Sequence, residues 1–196
     1  PDIIGQVHAQ YFRAGANVIE TNTFGANRYK LGEYGLESQT EDINRSAVSI
    51  ARQQADDFSD HPAFVCATIG PTGFLLSGGQ QDVPSFDDFV ETFAQQADVF
   101  IDGGADMILL ETMQDLLELR AALIGARQVI GRAARPICLQ VQVTMDAAGH
   151  MLMGSNIDAF LGCAANYSPD IIGLNCSTGP DEMMPRIKQL LDKAPC

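Results

Sequence analysis

Short apolar runs alternate along the chain with longer segments of helical periodicity. The runs are rich in β-branched residues and predict five strands, at residues 16–24, 64–69, 106–111, 137–144 and 170–176. Some of them, such as Met107 to Leu110, are apolar throughout, which is typical of parallel strands that are buried on both faces. The pattern therefore predicts a parallel sheet.

The segments between the apolar runs repeat their hydrophobic residues with the period of a helix. They predict helices at residues 1–14, 40–58, 85–103, 115–129, 155–164 and 183–191. The third helix has the clearest end signals, because Ser85 is a suitable N-cap and Asp87 and Asp88 suit the positive end of a helix. Gly103 and Gly104 then end it. Each predicted strand is thus followed by a predicted helix.

Repeated strand–helix–strand units demand right-handed parallel crossovers, which leaves a doubly wound open sheet or a (β/α)8 barrel. The open sheet would be supported by a G-x-G-x-x-G turn after a strand, and the sequence contains none. The turn at residues 70–73 (Gly-Pro-Thr-Gly) has the wrong spacing. The sequence therefore favours a (β/α)8 TIM barrel. Because such a barrel has eight strands and about 250 residues, the five predicted strands indicate an incomplete one.

Composition narrows the range of partners and of cellular settings. The 196 residues carry a formal net charge of -13 and no cluster of Lys or Arg, which argues against nucleic acid as a partner. No apolar run approaches the roughly 20 residues that cross a bilayer, so a membrane partner is not expected either. The five cysteines are odd in number and widely spaced, which favours a reducing, cytoplasmic setting.

In a barrel the functional groups lie at the C-terminal ends of the strands. Polar side chains collect at these ends in the sequence. Asn22 and Thr23 lie in the last part of the first predicted strand, Glu111 ends the third, and Asn175 and Cys176 end the fifth. We therefore expect one polar rim that contains these five residues.

The residue types at the rim leave several roles open. Cys176 suits a metal ligand or a nucleophile, but its spacing alone favours a small buried hydrophobic residue. Glu111 follows four apolar residues, so it suits an ammonium-binding group, a general base or a structural carboxylate. Asn22 and Asn175 can bind the carboxylate or the amine of a substrate, or can brace loops. His8, His61 and His150 fall in a helix or in loops and are interpreted as solvated or packed, while Cys66, Cys138 and Cys163 are interpreted as core.

Four motifs of the chain resemble the homocysteine S-methyltransferase family. They are residues 14–36 (AGANVIETNTFGANRYKLGEYGL), 69–73 (IGPTG), 103–115 (GGADMILLETMQD) and 170–183 (DIIGLNCSTGPDEM). The motifs occur in the family's order, and the resemblance covers essentially the whole chain. Residues 139–160 (LQVQVTMDAAGHMLMGSNIDAF) further resemble the homocysteine-binding module of the cobalamin-dependent methionine synthases, a subgroup of the family.

The resemblance implies a zinc site at the rim. In the family the barrel holds one zinc ion through three cysteines, and the first of them follows the Asn of the G-x-N-C motif, which is Cys176 here. The other two belong to a Gly-Gly-Cys-Cys-Gly segment that this sequence lacks, and Cys196 does not lie in a matching motif. The resemblance thus implies that residues 1–196 are the central part of the barrel, with the first strand and the last two strands missing. It also makes Glu111 a contact for the amino group of homocysteine, and Asn22, Thr23 and Asn175 further substrate-binding residues.

The implied reaction is zinc-dependent methyl transfer to the thiol of L-homocysteine, which gives methionine. In the subgroup the immediate donor is methylcobalamin, which is recharged from 5-methyltetrahydrofolate. The cobalamin- and methyltetrahydrofolate-binding modules of the parent protein would then be partners of this segment. A cobalamin-independent enzyme that uses betaine or S-methylmethionine stays open. So do a zinc-free barrel lyase or synthase with Glu111 as its base, and a non-catalytic scaffold.

The missing cysteine pair leads to a prediction for the chain on its own. One sulfur ligand of three is too few for tight zinc binding, because ligand number and geometry set the affinity. We expect the 196-residue chain to bind zinc poorly and to transfer no methyl group. Metal analysis after dialysis measures this directly, and stoichiometric zinc would contradict it.

Overall fold

The structure is a computed structural model in which residues 2–194 and 196 are described. Its strands are β1 Val18–Glu20, β2 Phe64–Ile69, β3 Met107–Met113, β4 Cys138–Val143 and β5 Ile171–Leu174. Its helices are α1 Asp2–Arg13, α2 Arg28–Gly32, α3 Thr40–Asp56, α4 Phe86–Asp102, α5 Leu116–Ile130, α6 Ile157–Ala164 and α7 Pro180–Lys193. Two 3-10 turns lie at Glu37–Gln39 and Ala165–Tyr167. Helices separate all the strands, as the hydrophobic pattern predicts, and two helices, α2 and α3, lie between β1 and β2.

All strand pairs are parallel, and the five strands lie side by side in chain order, β1-β2-β3-β4-β5. A doubly wound sheet would reverse its strand order at a switch point, whereas a barrel keeps the order of the sequence. The predicted fold class, an incomplete TIM barrel with about five of eight strands, is therefore confirmed. Within residues 2–194 and 196, β1 and β5 each pair on one side only.

The two faces of the sheet differ in burial. Successive side chains of a strand point to opposite faces, and one face packs against the helices through residues such as Ala67, Leu110 and Val141, which are fully buried. We call the opposite face, which lines the interior in a closed barrel, the inner face. On this face Val18 and Phe64, the first residues of β1 and β2, are 42% and 44% exposed.

Some elements differ from the sequence prediction. Strand β1 ends at Glu20, earlier than predicted. After Glu20 the side chains of Thr21 and Thr23 take part in the hydrogen bonds to β2, so the regular backbone pairing stops. The short helix α2 is absent from the prediction and begins where the Asn27 side chain accepts hydrogen bonds from two backbone N–H groups. Helix α7 begins at Pro180, three residues before the predicted start at 183, since proline suits the first turn of a helix. Pro1, the first residue of the predicted 1–14 helix, lies outside the described residues.

The helix layer is held by a close approach of α4 and α5. Phe89, Phe93 and Phe100 of α4 are fully buried beneath it. Gly125 of α5 lies directly against the α4 backbone, so that a Cβ atom there would come within 2.6 Å of the Val90 carbonyl oxygen. No helix of the described residues is both long enough and apolar enough to cross a membrane.

This contact generates a prediction about stability. Gly125→Ala should lower the free energy of unfolding by about 1–3 kcal/mol, because the added methyl group forces two helices apart. Gly162 of α6 is the matched control, since nothing lies within 4 Å of a Cβ built there. Gly162→Ala should raise the free energy of unfolding by about 0.5–1 kcal/mol. Urea unfolding of both variants measures the two effects, and equal values for them would contradict the packing argument.

Candidate active site at the strand ends

The ends of β3 and β5 meet through one carboxylate and one amide. Glu111 of β3 is half-buried, and its Oε2 accepts a hydrogen bond of 2.8 Å from Nδ2 of Asn175. Its Oε1 accepts a hydrogen bond from the Thr68 hydroxyl on β2. The carboxylate is thus held by these two neutral donors, with Oγ1 of Thr112 farther away, 3.4 Å from Oε2, and none of the three neutralises its negative charge.

The side chain of Asn175 is bonded in every direction. Its Oδ1 accepts from the backbone N–H of Thr112 at 3.0 Å, and its Nδ2 also donates to Oγ1 of Thr112 at 2.8 Å. Its backbone is held as well, since its N–H donates to the Val143 carbonyl at 3.3 Å and its carbonyl accepts from the Thr144 hydroxyl at 3.1 Å. Asn175 therefore connects the ends of β3, β4 and β5 rigidly.

Cys176 follows Asn175 and is exposed at the rim. Its φ is +60° and that of Ser177 is +64°, and a hydrogen bond of 2.7 Å from the Thr178 N–H to the Cys176 carbonyl closes this turn. The Cys176 sulfur lies 3.5 Å from Oγ1 of Thr112 and 3.6 Å from Nδ2 of Asn175. The turn thus exposes the sulfur at the C-terminal strand ends, where the inner face opens. The Asn175 side chain lies between the sulfur and Glu111.

Asn22 and Thr23 occupy two different environments. Thr23 is fully buried, and its hydroxyl donates to the Thr68 carbonyl at 2.7 Å and lies 2.6 Å from Oγ1 of Thr21. Thr23 thus braces Thr68, which in turn bonds to Glu111. Asn22 is exposed and lines a groove of about 430 Å³ between α1 and β1, together with His8 and Glu20. The structure therefore brings Glu111, Asn175 and Cys176 together and leaves Asn22 and Thr23 outside their contacts.

Three further polar residues border the site, Thr68, Thr112 and Glu20, and the sequence prediction gives none of them a role. Burial, and then the nearby Glu111 carboxylate, raise the pKa of Glu20, which lies on the inner face. Thr68 is a polar residue within an apolar strand, two positions after Cys66 on the same face. That period of two is the signal that could have found it.

The remaining cysteines and histidines lie in other surroundings. Burial raises the pKa of the Cys66, Cys138 and Cys163 thiols, and Cys66 is only 1% exposed. His8 is a buried residue of α1, and its burial lowers its pKa. His61 contacts Phe58 with ring centroids 4.6 Å apart. None of these residues contacts Cys176 among the hydrogen bonds of the described chain.

The donor set can be tested against a zinc ion. An exposed thiol whose sulfur lies 3.5 Å from a hydroxyl suits a zinc ligand, because zinc prefers sulfur and its ligands are usually held by further hydrogen bonds. Within residues 2–194 and 196, however, no three His, Cys, Asp or Glu side chains lie close enough together to hold a metal ion. The described residues therefore offer one fitting ligand, Cys176, and not a complete site.

Two buried carboxylates tie the loop after β2 to the start of α5. Oε1 of Glu118 accepts from the Thr72 N–H at 2.7 Å and from the Thr72 hydroxyl at 2.6 Å. Asp115 accepts from the Ser77 N–H and from the Ser77 hydroxyl, both at 2.7 Å. The two carboxylates thus anchor this loop to α5.

The fold and the rim together define a barrel protein whose polar groups converge at the strand ends. The family model for homocysteine S-methyltransferase matches residues 1–196. The chain belongs to the homocysteine S-methyltransferase family.

Two similar proteins are the methionine synthases of Mycobacterium leprae (strain TN) and Mycobacterium tuberculosis (strain ATCC 25618 / H37Rv). Each is 40% identical to this chain over 192 residues, which is 97% of the chain. The chain spans only 16% of the length of either relative. The likeness therefore concerns one segment of much longer proteins.

The fold resembles that of the homocysteine methyltransferase MmuM from Escherichia coli. Its metallated form matches with a TM-score of 0.79 at 22% identity, over 97% of this chain and 68% of that chain. Its apo form matches with a TM-score of 0.74 at 21% identity, over 97% and 67% of the two chains. At this identity the likeness concerns the fold.

The Glu118 contact generates a prediction about pH. Burial raises the pKa of Glu118 from 4.5 to about 7, so its neutral form is favoured in the folded chain. The resulting stabilisation is fully present below pH 4.5 and is lost as the pH rises through about 7, a change of about 3 kcal/mol. Glu118→Gln keeps the Oε1 acceptor and should remove this loss between pH 5 and 8.

Urea unfolding of the wild type and of Glu118→Gln across that pH range measures the difference. Glu182→Gln is the control, since Glu182 is exposed on α7 and should leave the wild-type profile unchanged. Parallel profiles for the wild type and Glu118→Gln would show that Glu118 does not titrate in this range.

Proposed function

We propose that this segment is the homocysteine-binding module of an enzyme that transfers a methyl group to the thiol of L-homocysteine with the help of zinc. Residues 1–196 would form the central part of the barrel, and its first strand and last two strands would come from elsewhere in a longer protein. Membership of the family supports the reaction class. The observation that carries the proposal is the contact of Asn175 with both Glu111 and the residues around Cys176.

Cys176 would hold the zinc ion together with two cysteines outside the described residues. A bound zinc ion keeps the sulfur of a thiol substrate deprotonated at neutral pH, whereas a free thiol is mostly protonated at that pH. The contribution of this chain is to place the ligand sulfur. The left-handed turn at Cys176 exposes the sulfur, and Thr112 and Asn175 restrict its direction.

Glu111 would bind the ammonium group of homocysteine. Its two oxygens are oriented by Thr68 and Asn175, which are neutral and leave the negative charge uncompensated. Among the ion pairs of the described residues none involves Glu111. A carboxylate that is half-buried and without a cation suits a positively charged ligand. Asn175 would then orient this carboxylate directly, and Thr23 would do so through its hydrogen bond to Thr68. Asn22 would contact the substrate only from the edge of β1.

For the methyl donor we propose methylcobalamin, recharged from 5-methyltetrahydrofolate on other modules of the parent protein. The 40% identity to two methionine synthases supports this donor, and so does the 16% share of those proteins that the chain spans. Betaine or S-methylmethionine would be the donor in a cobalamin-independent relative. The proposal places the protein in the cytoplasm, where its five free cysteines would stay reduced.

The roles of Cys176 and Glu111 can be separated in a longer chain that carries the complete barrel. Cys176→Ala should abolish both tight zinc binding and methyl transfer, because it removes one of three sulfur ligands. Glu111→Gln should keep zinc and weaken homocysteine binding by about 1.5–3 kcal/mol, the range for a hydrogen bond to a charged group. Zinc content, isothermal titration with homocysteine and methionine formation measure the three effects.

Cys163→Ala is the control for a cysteine outside the site and should bind zinc normally, since Cys163 lies half-buried on α6. A zinc-free lyase or synthase with Glu111 as base predicts the reverse result, in which Cys176→Ala stays active and Glu111→Gln is inactive. A scaffold without catalytic function predicts that the complete barrel binds neither zinc nor homocysteine. Either result would overturn the proposal.

A further inference from the structure

Thr112 has a backbone conformation that its side chain disfavours. Its φ is +57°, in the left-handed region, where a β-branched residue is rare. It lies within the irregularity of β3, where the register with β4 shifts between Leu110 and Met113. Such irregularities redirect a side chain near functional sites. An outlier of this kind persists only where surrounding contacts hold it.

The contact that holds Thr112 is a two-point pairing with Asn175. The Thr112 N–H donates to Oδ1 of Asn175 at 3.0 Å, and Oγ1 of Thr112 accepts from Nδ2 of Asn175 at 2.8 Å. This pairing joins residues that are 63 positions apart in the chain. Both the backbone and the hydroxyl oxygen of Thr112 are therefore fixed by the strand that leads to Cys176.

The Thr112 hydroxyl proton has two acceptors within reach. Because the hydroxyl oxygen already accepts from Asn175, its own O–H is free to donate. Oε2 of Glu111 lies at 3.4 Å and the sulfur of Cys176 at 3.5 Å. Both groups therefore lie within hydrogen-bond distance of Oγ1, and between Oγ1 and the sulfur either atom can be the donor. The hydroxyl thus bridges the Glu111 carboxylate and the Cys176 sulfur.

We infer that Thr112 is a positioning residue, whose hydroxyl orients the Cys176 sulfur and holds it in register with the Glu111 carboxylate. The contact itself is a property of this chain. Its consequence for zinc and for methyl transfer rests on the proposed function. Hydrogen bonds to a metal ligand orient it, and their loss typically weakens metal binding.

The contact can be tested in the 196-residue chain without any metal. Cys196→Ser serves as the background, because Cys196 is a second exposed thiol. Thr112→Val removes the hydroxyl and keeps the β-branched shape, whereas Thr112→Ser keeps the hydroxyl. Thr92→Val is the matched control, since the Thr92 hydroxyl bonds to the Asp88 carbonyl within α4. The readout is the rate of Cys176 alkylation by iodoacetamide, followed by peptide mass spectrometry.

Thr112→Val should slow alkylation of Cys176 by about threefold or more, because the hydroxyl that holds the sulfur in its exposed position at the rim is lost. Thr112→Ser and Thr92→Val should react like the background. A rate for Thr112→Val equal to the background would overturn the inference, and so would an equal fall in Thr112→Ser. If circular dichroism shows that Thr112→Val does not fold, Thr112→Ala replaces it, since it removes the hydroxyl with less crowding.

A second measurement uses the complete barrel and zinc affinity by competition with a chelating dye. Thr112→Val should weaken zinc binding by about tenfold and Thr112→Ser should restore it. Equal affinities for the wild type and Thr112→Val would overturn the inference. A wild-type barrel that binds no zinc would instead overturn the proposed function, and the alkylation rates would still decide whether Thr112 orients Cys176.

Discussion

The amide of Asn175 is the group on which the candidate site depends. It holds the Glu111 carboxylate at 2.8 Å and the Thr112 backbone at 3.0 Å, and it directly precedes the cysteine that faces the rim. A primary amide is suited to this position, because it donates to a carboxylate and accepts from a backbone N–H at the same time. An aspartate in its place could not donate to Glu111. The two halves of the site, one acidic and one sulfur-bearing, are thus placed by a single neutral side chain.

The charge of the site follows from how its carboxylates are satisfied. Glu111 is bonded by a hydroxyl and an amide, and no cation of the described residues pairs with it. Its charge acts on Glu20 across the inner face, where it adds to the effect of burial and raises the pKa of that carboxyl group. By contrast, Asp115 and Glu118 point away from the inner face and accept hydrogen bonds from the loop after β2. These carboxylates thus fall into two groups: Glu111, half-buried and without a paired cation, and Asp115 and Glu118, which are buried and anchor a loop.

Membership of the homocysteine S-methyltransferase family, together with the order of the strands, explains why these groups converge. Parallel strands in chain order send all their C-terminal ends to one rim, so polar residues far apart in the sequence become neighbours there. Thr112 and Cys176 have a positive φ. Their side chains therefore point toward the open end of the inner face, a direction that a regular strand would not give them. The shift of register between β3 and β4 also lies at this rim, between Leu110 and Met113.

The sequence by itself determined the alternation of strands and helices, the parallel sheet and the rim on which Glu111, Asn175 and Cys176 lie. These features follow from hydrophobic periodicity and from short motifs, which are written along the chain. Only the tertiary structure decided that Thr23 is buried and braces Thr68, that Asn175 is fully engaged with protein groups, and that Thr112 adopts a positive φ. The physical reason is that hydrogen bonds between β3 and β5 depend on the register across β4. Each of these registers pairs residues 31 positions apart, such as Met107 with Cys138 and Gln140 with Ile171, and leaves no local signal in the sequence.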